Sequence, residues 1–349
     1  MKILYISEAL SAPFDEGIKN VALSVHKNLE KKTDTITITK TASDIGSFRI
    51  LKMDLNKLFM NNRLRKCIND YYPDVILYLP EASVTFNSYI RAKVLKYMHS
   101  KSKVVMIGVK RAEYSTAQKY IISTMLRPDL LLLLGNFNMD LHNTAGVKYK
   151  VLPPAVDNVR FCKTTEEEKQ KIRRKFNMPG DKTLVLHVGH IRTTRNVASL
   201  VEVQKLDNLQ VVIVGSTSTV VEKNIKDKLQ AAGIRVIDYF IPDISSVYKM
   251  SDIYIFPVFN DIACIEMPLS VLEAMACNLS VITTRFGGLV DHFKEDEGFR
   301  YFDTHKELVE LVQLFSRSNR GSVNNNNKVA SFTWDRFADE VLAACSNFN

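Results

Sequence analysis

Short apolar runs alternate with longer amphipathic segments along the chain, the pattern of parallel strands buried on both faces and wrapped by helices. In the first half the apolar runs predict strands at 2–6, 35–39, 75–79, 104–107 and 130–134. In the second half they predict strands at 184–188, 211–214, 235–238, 253–256 and 281–284. The simplest account is an α/β chain of two successive doubly wound domains. The length of 349 residues agrees, since a single core stops growing at about 250–300 residues. The boundary is expected near Val151-Leu-Pro-Pro-Ala-Val-Asp157, where paired prolines bar a helix. A polar stretch at 316–328, with asparagines at 324–327, predicts a mobile loop before a final helix opened by Phe332-Thr-Trp334.

Charge is unevenly divided. Residues 1–150 hold 23 Lys/Arg and 13 Asp/Glu, a net +10, whereas residues 151–349 hold 24 and 25, a net −1. Two basic stretches stand out at 49–66 and 91–103. The first is amphipathic, with apolar Leu51, Leu55, Leu58 and Phe59 beside Lys52, Lys57, Arg63, Arg65 and Lys66. It reads either as a soluble basic face over a core helix or as a surface for anionic lipid. Nucleic acid is not expected, because no recognised binding signature or aromatic platform accompanies the charge. Cys67, Cys162, Cys264, Cys277 and Cys345 are scattered without pairing or metal-ligand spacing, which points to a reducing cytoplasm. The N-terminus begins directly as a strand without a cleavage site, and the leucine run at 130–134 is far too short to span a bilayer.

Candidate chemistry concentrates where strands give way to helices. The segment Glu266-Met-Pro-Leu-Ser-Val-Leu-Glu273 carries one carboxylate across a Pro268 turn and another into a helix. The free amides of Leu269 and Ser270 in its first turn make a donor-rich anion site. Asn278 stops the helix and the 281–284 strand follows, so both acids lie at the carboxyl end of a parallel sheet, where open α/β folds bind ligands. A second such end follows the 184–188 strand, with Gly189, His190, Arg192 and Arg195 in one basic turn. Near the N-terminus, Gly17 opens an amphipathic helix.

The 266–284 segment resembles the donor-binding loop of the retaining glycosyltransferases of family 4. Those enzymes have the GT-B fold, two doubly wound Rossmann-like domains facing a central cleft. Leu272-Glu273-Ala274-Met275-Ala276 matches the family's ending. The family usually has seven residues between its glutamates and this chain has six, with Ile265 where strict alignment puts the first acid. By this resemblance Glu273 holds a ribose and Glu266 lies beside the donor sugar. His190 stands where the family has arginine and Arg195 where it has lysine, the two cations that clamp a diphosphate. Arg192 is the substitute for the charge lost at His190. Gly17 keeps the second of a glycine pair that lets backbone approach the donor, and Glu16 replaces the first. Gly215 and the 238–248 run fall where the family lines its base pocket. The family's histidine after the fourth strand is missing, leaving Lys110 or Glu113 for that corner.

The resemblance implies an acceptor-binding domain at 1–155, a donor-binding domain at 156–331, and a C-terminal helix at 332–349 packing back on the first. It implies glycosyl transfer with retention from a UDP-, GDP- or ADP-linked sugar to a glycan or lipid-linked acceptor. No metal and no further cofactor are expected, because cations and helix amides supply the charge. The location implied is cytoplasmic and peripheral, at the inner face of a membrane. A catalytically degenerate GT-B protein serving as a nucleotide- or glycan-binding subunit is the rival reading. A nicotinamide-dependent dehydrogenase is not expected, since no Gly-x-Gly-x-x-Gly follows a predicted strand.

Overall fold

The structure is a computed structural model that describes residues 1–41, 49–81, 84–138, 141, 143, 146–317 and 323–347. The chain forms two compact units. Met1–Pro154, Ile265–Met267 and Trp334–Asn349 make the first, and Ala155–Cys264 and Pro268–Thr333 the second.

In the first unit the strands are β1 (Lys2–Ser7), β2 (Asp34–Thr39), β3 (Ile50–Lys52), β4 (Val75–Leu79), β5 (Lys103–Gly108), β6 (Leu130–Leu133) and β7 (Tyr149–Val151). They form one parallel sheet in the order β3-β2-β1-β4-β5-β6-β7. In the second unit β8 (Thr183–Val188), β9 (Leu209–Val214), β10 (Arg235–Ile237), β11 (Ile253–Phe256), β12 (Ser280–Thr283) and β13 (Phe299–Tyr301) are ordered β10-β9-β8-β11-β12-β13, again all parallel. Both sheets are doubly wound. The central strands are apolar throughout because helices cover both faces; every residue of β4 and β11 is buried. The strand order turns back between β1 and β4 in one sheet and between β8 and β11 in the other, and open sheets of this kind gather ligands at that reversal.

Each sheet is tied by a buried ion cluster. In the first, Glu8 directly follows β1 and its carboxylate accepts from Arg91 at 2.7 Å and from the Tyr78 hydroxyl at 2.6 Å, with Lys40 at 2.7 Å. In the second, Asp252 precedes β11 and is held by Arg173 at 2.7 Å, Lys169 at 2.6 Å and the Leu184 amide at 2.8 Å. This fastens the helix Glu166–Lys175 to the amino-terminal end of the sheet. The final helix, Trp334–Ser346, lies with the first unit and packs on the helix Gly17–Lys32, where Lys32 pairs with Asp335 at 2.8 Å and Asp339 at 2.6 Å.

Several sequence expectations change. The strands β3, β7 and β13, each at an edge of its sheet, were not signalled by an apolar run. The asparagine run is not a loop: Asn325–Val329 is helical, and Asn325 is fully buried, donating to the carbonyls of Leu279 and Gly298, each at 2.7 Å. Residues 318–322 of that expected loop lie outside the described residues. The 49–66 stretch is not one amphipathic element. It contains β3, a turn and the start of the helix Asn62–Tyr71, whose cap Asn61 accepts from the Arg63 amide at 2.8 Å. Leu55 and Phe59 belong to the core, while Leu51 and Leu58 are exposed. In the second basic stretch Arg91 is committed to Glu8, and Lys96 pairs with Asp129 at 3.0 Å. Among the described residues no helix is long and apolar enough to cross a membrane.

Candidate functional site

In the second unit the carboxyl end of β8 runs into a short 3-10 turn, Thr193–Arg195, ended by Asn196 in the left-handed conformation at φ 53°. This turn carries Arg195 inward, leaving the residue only 8% exposed. Among the described residues its guanidinium has no ion pair and no hydrogen bond, and its nitrogens keep contact with solvent. Beside it lies His187, fully buried, with Nδ1 donating to the Ile255 carbonyl at 2.9 Å and Nε2 without a partner among the described residues. Burial, with Arg195 and His190 adding to it, lowers the His187 pKa to about 4, so the ring is neutral at pH 7. Gly189 has a steric reason here, because a Cβ on it would stand 3.0 Å from His187 Nε2.

The other two basic positions of this turn face elsewhere. His190 Nε2 is 3.1 Å from the Thr219 hydroxyl, and Arg192 Nε donates to the Val220 carbonyl at 3.3 Å. Both therefore engage the 216–220 loop, whereas Arg195 is held apart.

Across the same sheet end, the helix Leu269–Ala276 is capped by Pro268. Pro268 thus precedes the first helical residue and does not occupy it. The amides of Leu269 and Ser270 make no hydrogen bond among the described residues, as the open end of a helix leaves them. The Tyr254 hydroxyl donates to the Val188 carbonyl at 3.4 Å, at the end of β8. Glu273, half-buried on this helix, accepts from the Tyr248 hydroxyl at 2.7 Å. Burial raises its carboxyl to about 7, opposed by Tyr248 and Arg160. Tyr248 is packed edge-on against Phe161, ring centroids 5.5 Å apart. Asn278, at φ 62°, ends the helix.

Glu266 belongs, with Ile265–Met267, to the first unit. Its amide donates to the Val109 carbonyl at 2.8 Å, and its carboxylate accepts from Arg111 Nη2 at 2.7 Å and Arg111 Nε at 3.2 Å. The Glu266 side chain is 1% exposed and that of Arg111 29%. In the corner after β5 where Lys110 or Glu113 was expected, Glu113 is exposed and Arg111 makes the contact. The sequence signal that could have found it is its permanent charge three residues beyond the strand end. Gly17 opens its helix with its bare face towards Ile265: a Cβ there would be 3.0 Å from Ile265 Cδ1. Among the described residues no group of three or more His, Cys, Asp or Glu is arranged to hold a metal.

Residues 168–330 match the family model for glycosyl transferases group 1. The D-inositol 3-phosphate glycosyltransferase of Arthrobacter sp. is 27% identical over 169 residues, an alignment covering 45% of this chain and 37% of that protein. The chain thus spans well under half the length of this curated relative. Two solved structures superpose on nearly the whole chain. A glycosyltransferase from Rickettsia africae does so with a TM-score of 0.77 at 17% identity, covering 99% of this chain and 98% of that one. HepE of Anabaena in complex with UDP does so with a TM-score of 0.77 at 13% identity, covering 99% and 100%. At such identities the likeness establishes the fold. The match to the glycosyl transferases group 1 model thus lies almost wholly within the second unit, and the fold of the chain is GT-B.

Proposed function

We propose that the protein transfers a glycosyl group from a nucleoside-diphosphate sugar to an acceptor hydroxyl, with retention at the anomeric carbon and without a metal. The observation that carries this reading is the Arg195 guanidinium at the carboxyl end of β8, without an ion pair or hydrogen bond among the described residues and open to solvent. A fixed cation left without a counter-charge at the ligand-binding end of a sheet is placed to receive an anion. A diphosphate fits, since a guanidinium fork and open helix amides are the groups that bind phosphate oxygens. UDP bound to HepE, a protein of the same fold, supports a nucleotide ligand.

In this reading the bond from the anomeric carbon to the diphosphate oxygen breaks with its electron pair passing to the diphosphate. Arg195 and the amides of Leu269 and Ser270 stabilise that charge from fixed positions. The acceptor oxygen bonds to the same face of the anomeric carbon, and its proton passes to the departing oxygen. Glu273 accepts the ribose hydroxyls. Glu266 orients hydroxyls of the donor sugar and supports positive charge at its ring. The acceptor is a glycan or a lipid-linked molecule. Arg63, Arg65 and Lys66, all exposed, with exposed Leu58 and Met60 nearby in sequence, suit an anionic membrane surface at the inner face of a cell.

The test is a thermal-shift screen of UDP, GDP, ADP and their sugars, followed by hydrolysis and transfer assays with those that bind. One of the three nucleotides should raise the melting temperature, by the equivalent of about 2.7 kcal/mol at a hundredfold excess over Kd. No shift with any of them would overturn the reading.

A further inference from the structure

We propose that Arg111 is the positioning residue for Glu266, fixing its direction, so that the charge at this corner is delivered as a paired guanidinium and carboxylate. The proposal rests on the reading that Glu266 serves the donor sugar.

Three features of the first unit carry it. The ion pair is two-pronged, with Nη2 to Oε1 at 2.7 Å and Nε to Oε2 at 3.2 Å, and a fork on a carboxylate fixes orientation as a single lysine contact does not. The loop presenting Arg111 is itself held on both flanks. Val109 gives its carbonyl to the Glu266 amide, and Asn138, in the left-handed conformation at φ 52°, binds both backbone groups of Ala112, at 3.0 and 2.6 Å. The third feature is Gly135, at φ +151°. A Cβ there would stand 2.6 Å from Glu266 Cγ, so the side chain of Glu266 occupies the space that this glycine leaves.

The pair has a chemical consequence. The fork engages both carboxylate oxygens and partly balances the charge of Glu266. Arg111 is not a catalytic residue in the strict sense, because it acts through Glu266.

The experiment is a double-mutant cycle on the full chain, using the nucleotide-sugar identified by the screen. Arg111→Ala should lower kcat about a hundredfold, the effect of misplacing a reacting partner by about an ångström, while nucleotide Kd stays within twofold. Adding Glu266→Gln to Arg111→Ala should cost little more, because the two changes remove one function. Arg111→Lys should recover part of kcat, and guanidinium ion should restore activity to Arg111→Ala but not to Arg111→Lys. Gly135→Ala, which leaves Arg111 in place, should reproduce the loss by displacing Glu266. Multiplicative losses in the cycle, or a wild-type kcat in folded Arg111→Ala, would overturn the proposal alone. Failure of the wild type to bind any nucleotide or nucleotide-sugar would overturn the functional reading and this proposal with it.

Discussion

The two sheets share the order of six strands, the first adding β7 at its edge, yet their first strands end in opposite electrostatic states. After β1, the carboxylate of Glu8 is met by Lys40, Arg91 and the Tyr78 hydroxyl, all within 2.7 Å. After β8, the Arg195 guanidinium has no counter-charge among the described residues and keeps contact with solvent, and the neighbouring helix shows open amides. Topology places both at a strand-order reversal, so topology alone does not distinguish them. Charge saturation does. A satisfied buried cluster holds structure together, and an unsatisfied one is shaped for something that arrives.

The comparison can be broken first at its saturated side. Glu8→Ala leaves Arg91 partly buried without its partner and should destabilise the first unit by about 3–5 kcal/mol. Chemical denaturation measures this, and nucleotide affinity of the folded fraction should not move. Arg195→Ala should do the reverse: a loss of turnover on the order of a hundredfold, with an unchanged or raised melting temperature. Early melting with normal turnover would make Arg195 a structural cation and erase the contrast. Glu273→Gln should weaken nucleotide binding by about 1–3 kcal/mol in calorimetry, since an amide accepts ribose hydroxyls less well than a carboxylate. Reversing Arg63, Arg65 and Lys66 to Glu should remove about 1 kcal/mol per residue from binding to anionic vesicles and leave neutral vesicles unaffected. Equal co-sedimentation with both vesicle types would reduce the first unit's charge to a solubility feature.

Much of the fold was legible because a parallel strand covered on both faces must be apolar at every position. The expected strand at 75–79 is β4 and that at 253–256 is β11. The missed strands are three-residue edges, Ile50–Lys52, Tyr149–Val151 and Phe299–Tyr301, too short and too mixed to show a run. The asparagine run was misread because composition cannot tell a solvated amide from one that cross-links buried carbonyls, as Asn325 does. Within the site, the helix around Glu273 was legible from its Pro-to-Asn punctuation. Which of His190, Arg192 and Arg195 remains unpaired was not, because it depends on where the 216–220 loop lies. Nor was Arg111 visible as a partner of Glu266, at a separation of 155 residues.

The raised carboxyl of Glu273 also couples the protein to protons. At about 7 against an ordinary 4.5, the folded protein holds a proton that the unfolded chain has already lost. Its contribution to stability is therefore full below pH 4.5 and lost as pH rises through 7. A ribose that needs the carboxylate as acceptor must expel this proton on arrival and allow it back on departure. Nucleotide uptake near neutrality should release a fraction of a proton, making the calorimetric heat depend on the buffer's ionisation enthalpy, with affinity rising from about pH 6 to 8. Both dependences should vanish in Glu273→Gln. Each catalytic cycle would then carry a proton into and out of solution at the nucleotide step, separately from the one that moves in glycosyl transfer.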